Sequence, residues 1–461
     1  MRAEVCITGP RLFRYFAVSA ILAAAYFVAG KLGLRLAFVH ASATGVWPPT
    51  GIAVAALLIY GYRMWPAILT AAFLVNVTTA GSAGTSLGIG VGNTLEALAA
   101  AFLVNRYAGG IGAFADSRNT FKFILAAMVS TAVSPTIGVS SLALGGYAHW
   151  ATFGSIWLTW WMGDTVGALV VAPALILWGV NPRIRWSRTR IAEVVALFCC
   201  LILLSRSVFD GLLPFGVHNY PLEFLCFPIL LWAAFRFSQR EVATALVVLS
   251  AIAIAGTLRG DGPFARHAPN EALVLLQAFT GVTAVMSLAV GAVVSERKRV
   301  EDRMRRLAVS DPLTGLANYR QLVEVLDVEI KRAERTGRPF AVVFLDLDRL
   351  KKINDRHGHI VGSRALCRVA DAIRASSRLI DTAARFGGDE FALVLPETDE
   401  HGAREVATRL QERVAADKEV PRLSVSLGVA VYPKEGDTAD GLLASADQAL
   451  YAAREYSGSG R

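Results

Sequence analysis

The stretch "RFGGDEFALVLP" at residues 385–396 decides the fold of the C-terminal third of the chain. Apolar runs flank two glycines and two carboxylates, and this pattern is typical of two strands joined by a tight turn. Gly387 and Gly388 are expected in the turn, because glycine permits positive φ and leaves the backbone bare for an approaching phosphate or base. Asp389 and Glu390 would then stand at the exposed turn.

The sequence around this hairpin alternates between helix-like and strand-like stretches. The expected strands are 340–348, 382–386, 390–396 and 423–433. The expected helices are 318–337, 362–378, 400–416 and 440–455. The pattern predicts an α/β (α+β) domain with one central mixed or antiparallel sheet covered by helices.

A second acidic pair, Asp346 and Asp348, ends the apolar strand "FAVVFLDLD". If this strand neighbours the hairpin, Asp346 and Asp389 converge. Carboxylates that converge in this way, completed by substrate phosphates, are the ligands that Mg²⁺ prefers. Lys351 and the N–H groups around it could take up phosphate charge, and Asn354 could read a base edge. The alternative is that these acids are hydrated turn residues.

Charge divides the chain sharply near Ser295. Only ten of the 37 acidic residues lie in 1–295, against 18 of the 46 basic ones. The net charge of +9 therefore belongs mostly to an apolar N-terminal part. It favours an orientation in a membrane over binding to nucleic acid.

Apolar stretches fill residues 1–295 and predict a multi-span helical membrane domain with eight to ten helices. They are 12–29, 47–61, 64–80, 87–104, 121–144, 155–178, 191–205, 220–235, 241–257 and 272–294. With ten spans, the N-terminus and the even-numbered loops hold 13 of the 18 basic residues, so both termini would face the cytoplasm. The expected location is the inner membrane of a bacterium, which the chain would cross several times. No cleavable signal peptide is evident, and the five cysteines are expected to be reduced.

Residues 296–310 read as a charged connector helix that ends before Pro312. Val300, Met304 and Leu307 recur at steps of four and three, which indicates a parallel coiled coil and hence a homodimer. The alternative is an ordinary solvated amphipathic helix.

Two acidic residues, Glu96 and Asp164, lie within the apolar spans. They form either a structural pair or a ligand or proton site.

The C-terminal third resembles the GGDEF family of diguanylate cyclases. The stretches that carry the resemblance are "DPLTGLANYR" (311–320), "FLDLDRLKKINDRHGH" (344–359), "RLIDTAARFGGDEF" (378–391), "SLGVA" (426–430) and "ADQALYAAR" (446–454). The N-terminal part resembles the MASE1 membrane sensors through "WPPTGIAVAALLIYG" (47–61) and "WWMGDTVGALVVAPAL" (160–175). The domains expected are a sensor at 1–295, the connector at 296–310 and a cyclase domain at 311–461.

The resemblance implies that two GTP become cyclic di-GMP and two pyrophosphates in a homodimer, with Mg²⁺ (or Mn²⁺) as cofactor. The implied metal ligands are Asp346, the Leu347 carbonyl, Asp389 and Glu390, and the implied catalytic residues are Asp389, Glu390 and Lys351. The implied substrate-binding residues are Leu350, Asn354, His359, Ser363, Gly387, Gly388 and Arg454.

Two positions depart from the family pattern. Ser363 stands where the family usually has an Asp that accepts hydrogen bonds from guanine, a loss on the order of 1–3 kcal/mol. Arg454 replaces a Lys, and Gly458 stands where the family has an Arg on the triphosphate; Arg461 is the remaining cation that could reach back.

The stretch "RLID" predicts a site where product inhibits synthesis. Arg378 and Asp381 stand five residues before the turn, as in the family's RxxD motif, and Arg409 matches its secondary Arg. A simple surface ion pair is the alternative. Two other functions compete with the regulated cyclase: a degenerate domain that only binds cyclic di-GMP, and a transporter regulated by that domain.

Overall fold

The computed structural model describes residues 9–458 except 36, 41–42, 45, 80–81, 184–185, 211–221 and 266. It divides into two compact units, Met1–Lys298 and Arg299–Arg461.

The first unit is almost wholly helical among its described residues. Its α-helices are α1 (Gly9–Arg35), α2 (Pro48–Tyr60), α3 (Trp65–Val77), α4 (Ala83–Tyr107), α5 (Ser117–Ser130), α6 (Val133–Leu144), α7 (Phe153–Val180), α8 (Arg188–Phe209), α9 (Cys226–Arg236), α10 (Gln239–Leu258) and α11 (Pro269–Val309). Two short antiparallel strands, β1 (Ala37–His40) and β2 (Ala43–Thr44), connect α1 to α2.

Seven segments of the described chain are helical, long and apolar enough to cross a membrane. They are Leu12–Leu34, Ala83–Tyr107, Ser117–Leu144, Trp150–Val180, Arg188–Phe209, Gln239–Leu258 and Asn270–Met304. Pro48–Tyr60 is apolar but shorter. The helical membrane class is therefore confirmed, whereas the number of eight to ten spans stays a prediction.

Glycines let α2 and α7 lie against each other at backbone distance. A Cβ on Gly51 would collide with the carbonyl oxygen of Gly167, and one on Gly167 would collide with the carbonyl of Trp47. The Trp47 N–H donates to the Gly163 carbonyl at 3.0 Å. Any larger side chain at Gly51 or Gly167 would force the two helices apart.

The second unit contains one four-stranded antiparallel sheet in the order β4–β5–β3–β6. Its strands are β3 (Phe340–Leu347), β4 (Thr382–Arg385), β5 (Glu390–Leu395) and β6 (Val425–Tyr432). The predicted α/β (α+β) class is confirmed, and the named strands pair only antiparallel.

Helices cover both faces of this sheet. They are α12 (Tyr319–Thr336), α13 (Leu350–His357), α14 (His359–Ser376), α15 (Glu400–Ala416) and α16 (Ala439–Gly458). Alternate residues of β3 supply two cores: Val343 packs with α14 and α15, and Val342 packs with α12 and α16. This alternation is the period of two expected for a strand buried on both faces.

Gly428 brings α16 directly onto β6. A Cβ at this position would collide with the carbonyl oxygen of Ala446 and the N–H of Leu450. The helix therefore rests on bare strand backbone, which fixes its height above the sheet.

The apolar residues expected to pair in the connector are Val300, Met304 and Leu307, and the structure describes only some of their side chains. The side chains of Val300 and Met304 are 52% and 64% exposed. Leu307 and Arg461, like Cys6, lie outside the residues whose side chains are described. Pairing of the connector in a dimer stays a prediction.

Candidate active site

The register of the sheet brings the two acidic segments together. Asp346, near the end of β3, is the direct partner of Glu390, the first residue of β5. The Leu347 N–H donates to the Asp389 carbonyl at 3.0 Å, which extends the pairing one step past the strand. The carboxylates of Asp346 and the hairpin therefore approach the same edge, as expected from neighbouring strands.

Negative charge accumulates at this edge. Burial raises the pKa of Asp346 to about 6, and the charges of Asp389 and Glu390 add to the rise while Arg454 opposes it. Burial also raises the pKa of Glu390, with further contributions from Asp389 and from Asp447 on α16. A cation at this edge would relieve the repulsion.

Arg454 supplies the positive charge that the structure itself places here. Its guanidinium forms an ion pair with Asp346 and lies 4.0 Å from Oδ1 of Asp348. Asp348 accepts hydrogen bonds of 2.7 Å from the hydroxyls of Ser424 and Ser426. Asp348 thus ties the end of β3 to β6, a role that the sequence did not suggest.

The donor set suits a hard divalent cation that also binds substrate. Asp346, Asp389 and Glu390 present carboxylate oxygens whose mutual repulsion a cation would offset. In the described part of the chain, no three His, Cys, Asp or Glu side chains are grouped so as to hold a metal ion. The pairing of Asp346 with Glu390 beside Asp389 fits Mg²⁺ in its usual protein setting, where one or two carboxylates are completed by phosphate oxygens and water.

The hairpin turn differs from the expectation in its backbone. Gly387 and Gly388 do not occupy the left-handed region, so the argument from positive φ was wrong. The N–H groups of Phe386 and Gly387 donate to the Glu390 carbonyl at 2.9 and 3.3 Å, which closes the loop without that conformation. A Cβ on Gly388 would meet nothing within 4 Å, so this glycine leaves open space at the turn.

Arg385 is a positioning residue that the sequence reasoning missed. Its guanidinium donates to the carbonyls of Gly387 (3.2 Å) and Gly388 (2.6 Å) and to both carboxylate oxygens of Asp311 (3.2 Å each). Asp311 also accepts the N–H and hydroxyl of Thr314 at 2.8 and 2.7 Å. The stretches "DPLTG" and "ARFGGDEF" carried the signal, but nothing in the sequence showed that they meet.

The turn after β3 presents an uncapped helix N-terminus beside these carboxylates. Arg349 adopts a left-handed conformation with φ of 61°, uncommon for a residue other than glycine. Helix α13 begins at Leu350, and no side chain caps its first turn. The Leu350 N–H and the exposed Lys351 side chain are therefore placed at an end of the helix that favours anions.

The candidate base-binding residues lie where α13 meets α14. A Cβ on Gly362 would collide with the amide oxygen of Asn354, so the Asn354 side chain lies against the first turn of α14. Ser363 is the next residue along, and His359, the first residue of α14, is exposed. The structure thus brings Asn354 and Ser363 into one region, while His359 faces solvent.

The RxxD stretch forms a compact turn in front of β4. The Arg378 backbone N–H donates to Oδ2 of Asp381 at 2.6 Å, which leaves the exposed Arg378 side chain outside this bond. Oδ1 of Asp381 is buried and has no hydrogen-bond partner among the described residues. Arg409 donates to the Ser376 carbonyl at 3.0 Å, so all three candidate residues lie in one neighbourhood.

Comparison with known families matches both units. A family model described as MASE1 matches residues 18–298, and one described as diguanylate cyclase, GGDEF domain, matches residues 308–459.

Individual proteins match the C-terminal part. The chain is 39% identical over 166 residues to the bifunctional diguanylate cyclase/cyclic di-GMP phosphodiesterase MucR of Pseudomonas aeruginosa. This alignment covers 35% of this chain and 24% of the relative. It is 36% identical over 173 residues to the response regulator PleD of Caulobacter vibrioides, covering 34% and 38%. A crystal structure of a sensory box/GGDEF family protein from Caulobacter crescentus is 41% identical, with 32% of this chain and 98% of that chain covered and a TM-score of 0.31. The alignments to these curated relatives thus span well under half of their own length.

Proposed function

The chain belongs to the MASE1 family and carries a C-terminal GGDEF domain, and on that premise we propose that it is a membrane-bound diguanylate cyclase. It would condense two GTP into cyclic di-GMP and two pyrophosphates. The observation that carries this proposal is the pairing of Asp346 with Glu390 beside the uncapped N-terminus of α13. Carboxylates for a metal and N–H groups for phosphate thereby face the same edge.

Mg²⁺ or Mn²⁺ would be held by Asp346, Asp389, Glu390 and the Leu347 carbonyl. When bound, the ion supplies positive charge for the phosphate oxygens and the departing pyrophosphate. The raised pKa of Asp346, to about 6, supports this assignment, because it reflects a carboxylate that a nearby cation would stabilise.

The phosphates of GTP would be bound by the Leu350 N–H, Lys351 and Arg454. Lys351 is exposed at the first turn of α13, and Arg454 already reaches the carboxylates. The open space at Gly388 leaves room for the nucleotide, and Gly387 leaves room for the Glu390 carboxylate beside it. Electrostatic positioning of this kind is the main contribution of protein to phosphoryl-group chemistry.

Guanine would lie against Asn354 and Ser363, where α13 meets α14. His359 would shape the rim of this pocket. Ser363 can satisfy only part of the donor edge of guanine, so we propose weaker base binding than an Asp would give.

Each protomer would bind one GTP, and the 3′-oxygen of each would attack the α-phosphorus of the other. A bond from oxygen to phosphorus forms, the bond to pyrophosphate breaks, and Asp389 accepts the hydroxyl proton. A symmetric product forms most simply at a two-fold interface, so we propose a homodimer assembled through the 296–310 connector. The distribution of basic loop residues supports a cytoplasmic position for the GGDEF domain.

Product would bind at Arg378, Asp381 and Arg409 and slow the enzyme. The unpartnered, buried Oδ1 of Asp381 supports this role, since it can accept a guanine N–H. The signal received by the membrane domain would pass through the connector.

A receptor that binds cyclic di-GMP without making it is the second candidate. This candidate is favoured by the departures from the family pattern at Ser363 and Gly458. It is also favoured by the ion pair that Arg454 forms with Asp346. Conversion of GTP into cyclic di-GMP distinguishes the cyclase from the receptor.

The test is synthesis of cyclic di-GMP by the full-length protein in detergent or lipid nanodiscs, with GTP and Mg²⁺. We expect product from the wild type and a loss of at least about 100-fold in Asp389→Asn. Asp437→Asn is the matched control, because Asp437 is an exposed acid of the same domain outside the site. Absence of product from a folded wild type that binds cyclic di-GMP would support the receptor instead.

A further inference from the structure

Two carboxylates are buried in the middle of the membrane unit. Glu96 lies halfway along α4 and is 1% exposed, and Asp164 lies in the first half of α7 and is 0% exposed. Charged side chains at such depth are costly unless something compensates them. The proposed cyclase chemistry makes no use of either.

Among the described residues, no hydrogen bond of normal geometry compensates this pair. None of the four carboxylate oxygens of Glu96 and Asp164 has a hydrogen-bond partner. The two groups face each other, with Thr50 and Ser134 beside them. Two facing carboxylates repel each other unless a positive charge lies with them.

The proton of the Ser134 hydroxyl points away from the pair. Its Oγ donates to Oδ1 of Asn93 at 2.6 Å, and Nδ2 of Asn93 donates to the hydroxyl of Tyr26 at 3.2 Å. Ser134 therefore presents lone pairs to the carboxylates, like another oxygen ligand. Oxygen acceptors thus lie beside Glu96 and Asp164, together with the indole of Trp160 next to Asp164.

Asp164 lines a small cavity. Trp47, Asn76, Asn93 and Trp160 form other parts of its wall, and only ≈ 10 Å³ is open to a water-sized sphere. That volume holds about one water-sized particle. The close contact of α2 with α7 through Gly51 and Gly167 stiffens the wall that carries Trp47 and Asp164.

We propose that the Glu96–Asp164 pair, together with the oxygens of Thr50 and Ser134, binds a single dehydrated monovalent cation of sodium size. One such cation and one proton on the two carboxylates leave the buried site neutral. Mg²⁺ is excluded by the space, because it retains several waters and an octahedral shell. The site belongs to the membrane unit, and its existence does not depend on cyclase activity.

The first experiment measures binding of radioactive ²²Na⁺ to the purified full-length protein in nanodiscs. We expect saturable binding of one ion per chain, displaced by unlabelled Na⁺ or Li⁺ and not by choline. Thermal unfolding at constant ionic strength should show a midpoint that rises and saturates with Na⁺ but not with choline.

Variants distinguish this site from other carboxylates. Glu96→Gln and Asp164→Asn should each weaken Na⁺ binding by at least about tenfold. Glu193→Gln is the matched control and should leave it unchanged, because Glu193 is paired with Arg236 elsewhere in the same unit. If both site variants fail to fold, Thr50→Val must still weaken binding. A wild type whose stability responds to pH but not to Na⁺, and which binds no ²²Na⁺, would show that the pair holds only protons and would overturn the proposal.

Discussion

The guanidinium of Arg454 forms an ion pair with the carboxylate of Asp346. The residue expected to bind phosphate thus already neutralises a residue expected to bind metal. Arg454 lies on α16 and Asp346 on β3, so the contact joins a helix to an inner strand of the sheet. Metal, nucleotide and Arg454 would have to share this edge.

Replacing Arg454 with Gln should therefore have two opposite effects. Binding of Mn²⁺ without nucleotide should strengthen several-fold, because the competing cation is gone, while KM for GTP should rise by about tenfold through loss of a phosphate contact. Electron paramagnetic resonance of Mn²⁺ measures the first effect and steady-state kinetics the second. Arg454→Lys is the control that keeps the charge. Weaker Mn²⁺ binding in Arg454→Gln would contradict competition.

Arg385→Gln should loosen the hairpin. The substitution removes the hydrogen bonds to Gly387, Gly388 and Asp311, and we expect a loss of about 1.5–3 kcal/mol in the free energy of unfolding. Because Arg385 positions the turn, kcat should fall more than KM rises. Chemical denaturation and kinetics measure the two effects, and an unchanged kcat in the folded variant would refute a positioning role.

The Asp311–Arg385 pair should make stability depend on pH. Burial tends to raise the pKa of Asp311, but the hydrogen bonds from Thr314 and the charge of Arg385 outweigh it and hold the pKa below its ordinary value of 3.8. A lowered carboxyl pKa contributes stability that is present above the ordinary value and disappears as the pH falls through the folded-state pKa. The free energies of unfolding of wild type and Asp311→Asn should therefore differ at neutral pH and converge as the pH falls below 3.8 and through the folded-state pKa. A difference that persisted at low pH would point to packing instead.

Arg378→Ala should abolish inhibition by cyclic di-GMP without disturbing the turn. Arg378 bonds to Asp381 through its backbone, whose N–H donates to Oδ2 and whose carbonyl accepts the Asp381 N–H, and alanine keeps both groups. We expect the inhibition constant to rise by more than about tenfold at unchanged initial rate. Asp381→Ala is the less clean variant, because it removes the acceptor that closes the turn. Retained inhibition in Arg378→Ala would place the product site elsewhere.

Ser363→Asp should improve GTP binding. An Asp at the start of α14, beside Asn354, can accept both donors of the guanine edge, and the gain should be on the order of 1–3 kcal/mol. That corresponds to a KM for GTP lower by about 5-fold to 150-fold, with ATP unaffected as the control nucleotide. No change in KM would indicate that Ser363 does not face the base.

Much of the second unit could be predicted because its signals are local. The apolar, strand-like runs of β3 and β5 predicted the sheet, and their adjacency brought Asp346 to the hairpin. The link between Asp311 and Arg385 could not be predicted, since it joins residues 74 positions apart. The left-handed Arg349 was also missed, because a non-glycine residue in that conformation is held by tertiary context rather than by propensity.

The membrane unit was less predictable in detail. The apolar run 121–144 was expected as one span, and Ser117–Leu144 is one of the seven candidate spans, but it consists of two helices, since α5 ends at Ser130 and α6 begins at Val133. Hydropathy does not register such a break, since apolar residues continue on both sides of it. By contrast, the charges at Glu96 and Asp164 were conspicuous in the sequence, although their contact was not.

The seating of α16 on Gly428 has one more consequence. That helix delivers both Asp447 and Arg454 to the acidic edge, one negative and one positive. If α16 were lifted as a rigid rod, for example by Gly428→Ala, both would withdraw together and the total charge of the edge would not change. The separation of positive and negative charge across the edge would change instead. The distance of α16 from the sheet therefore sets the local dipole of the edge without altering its net charge.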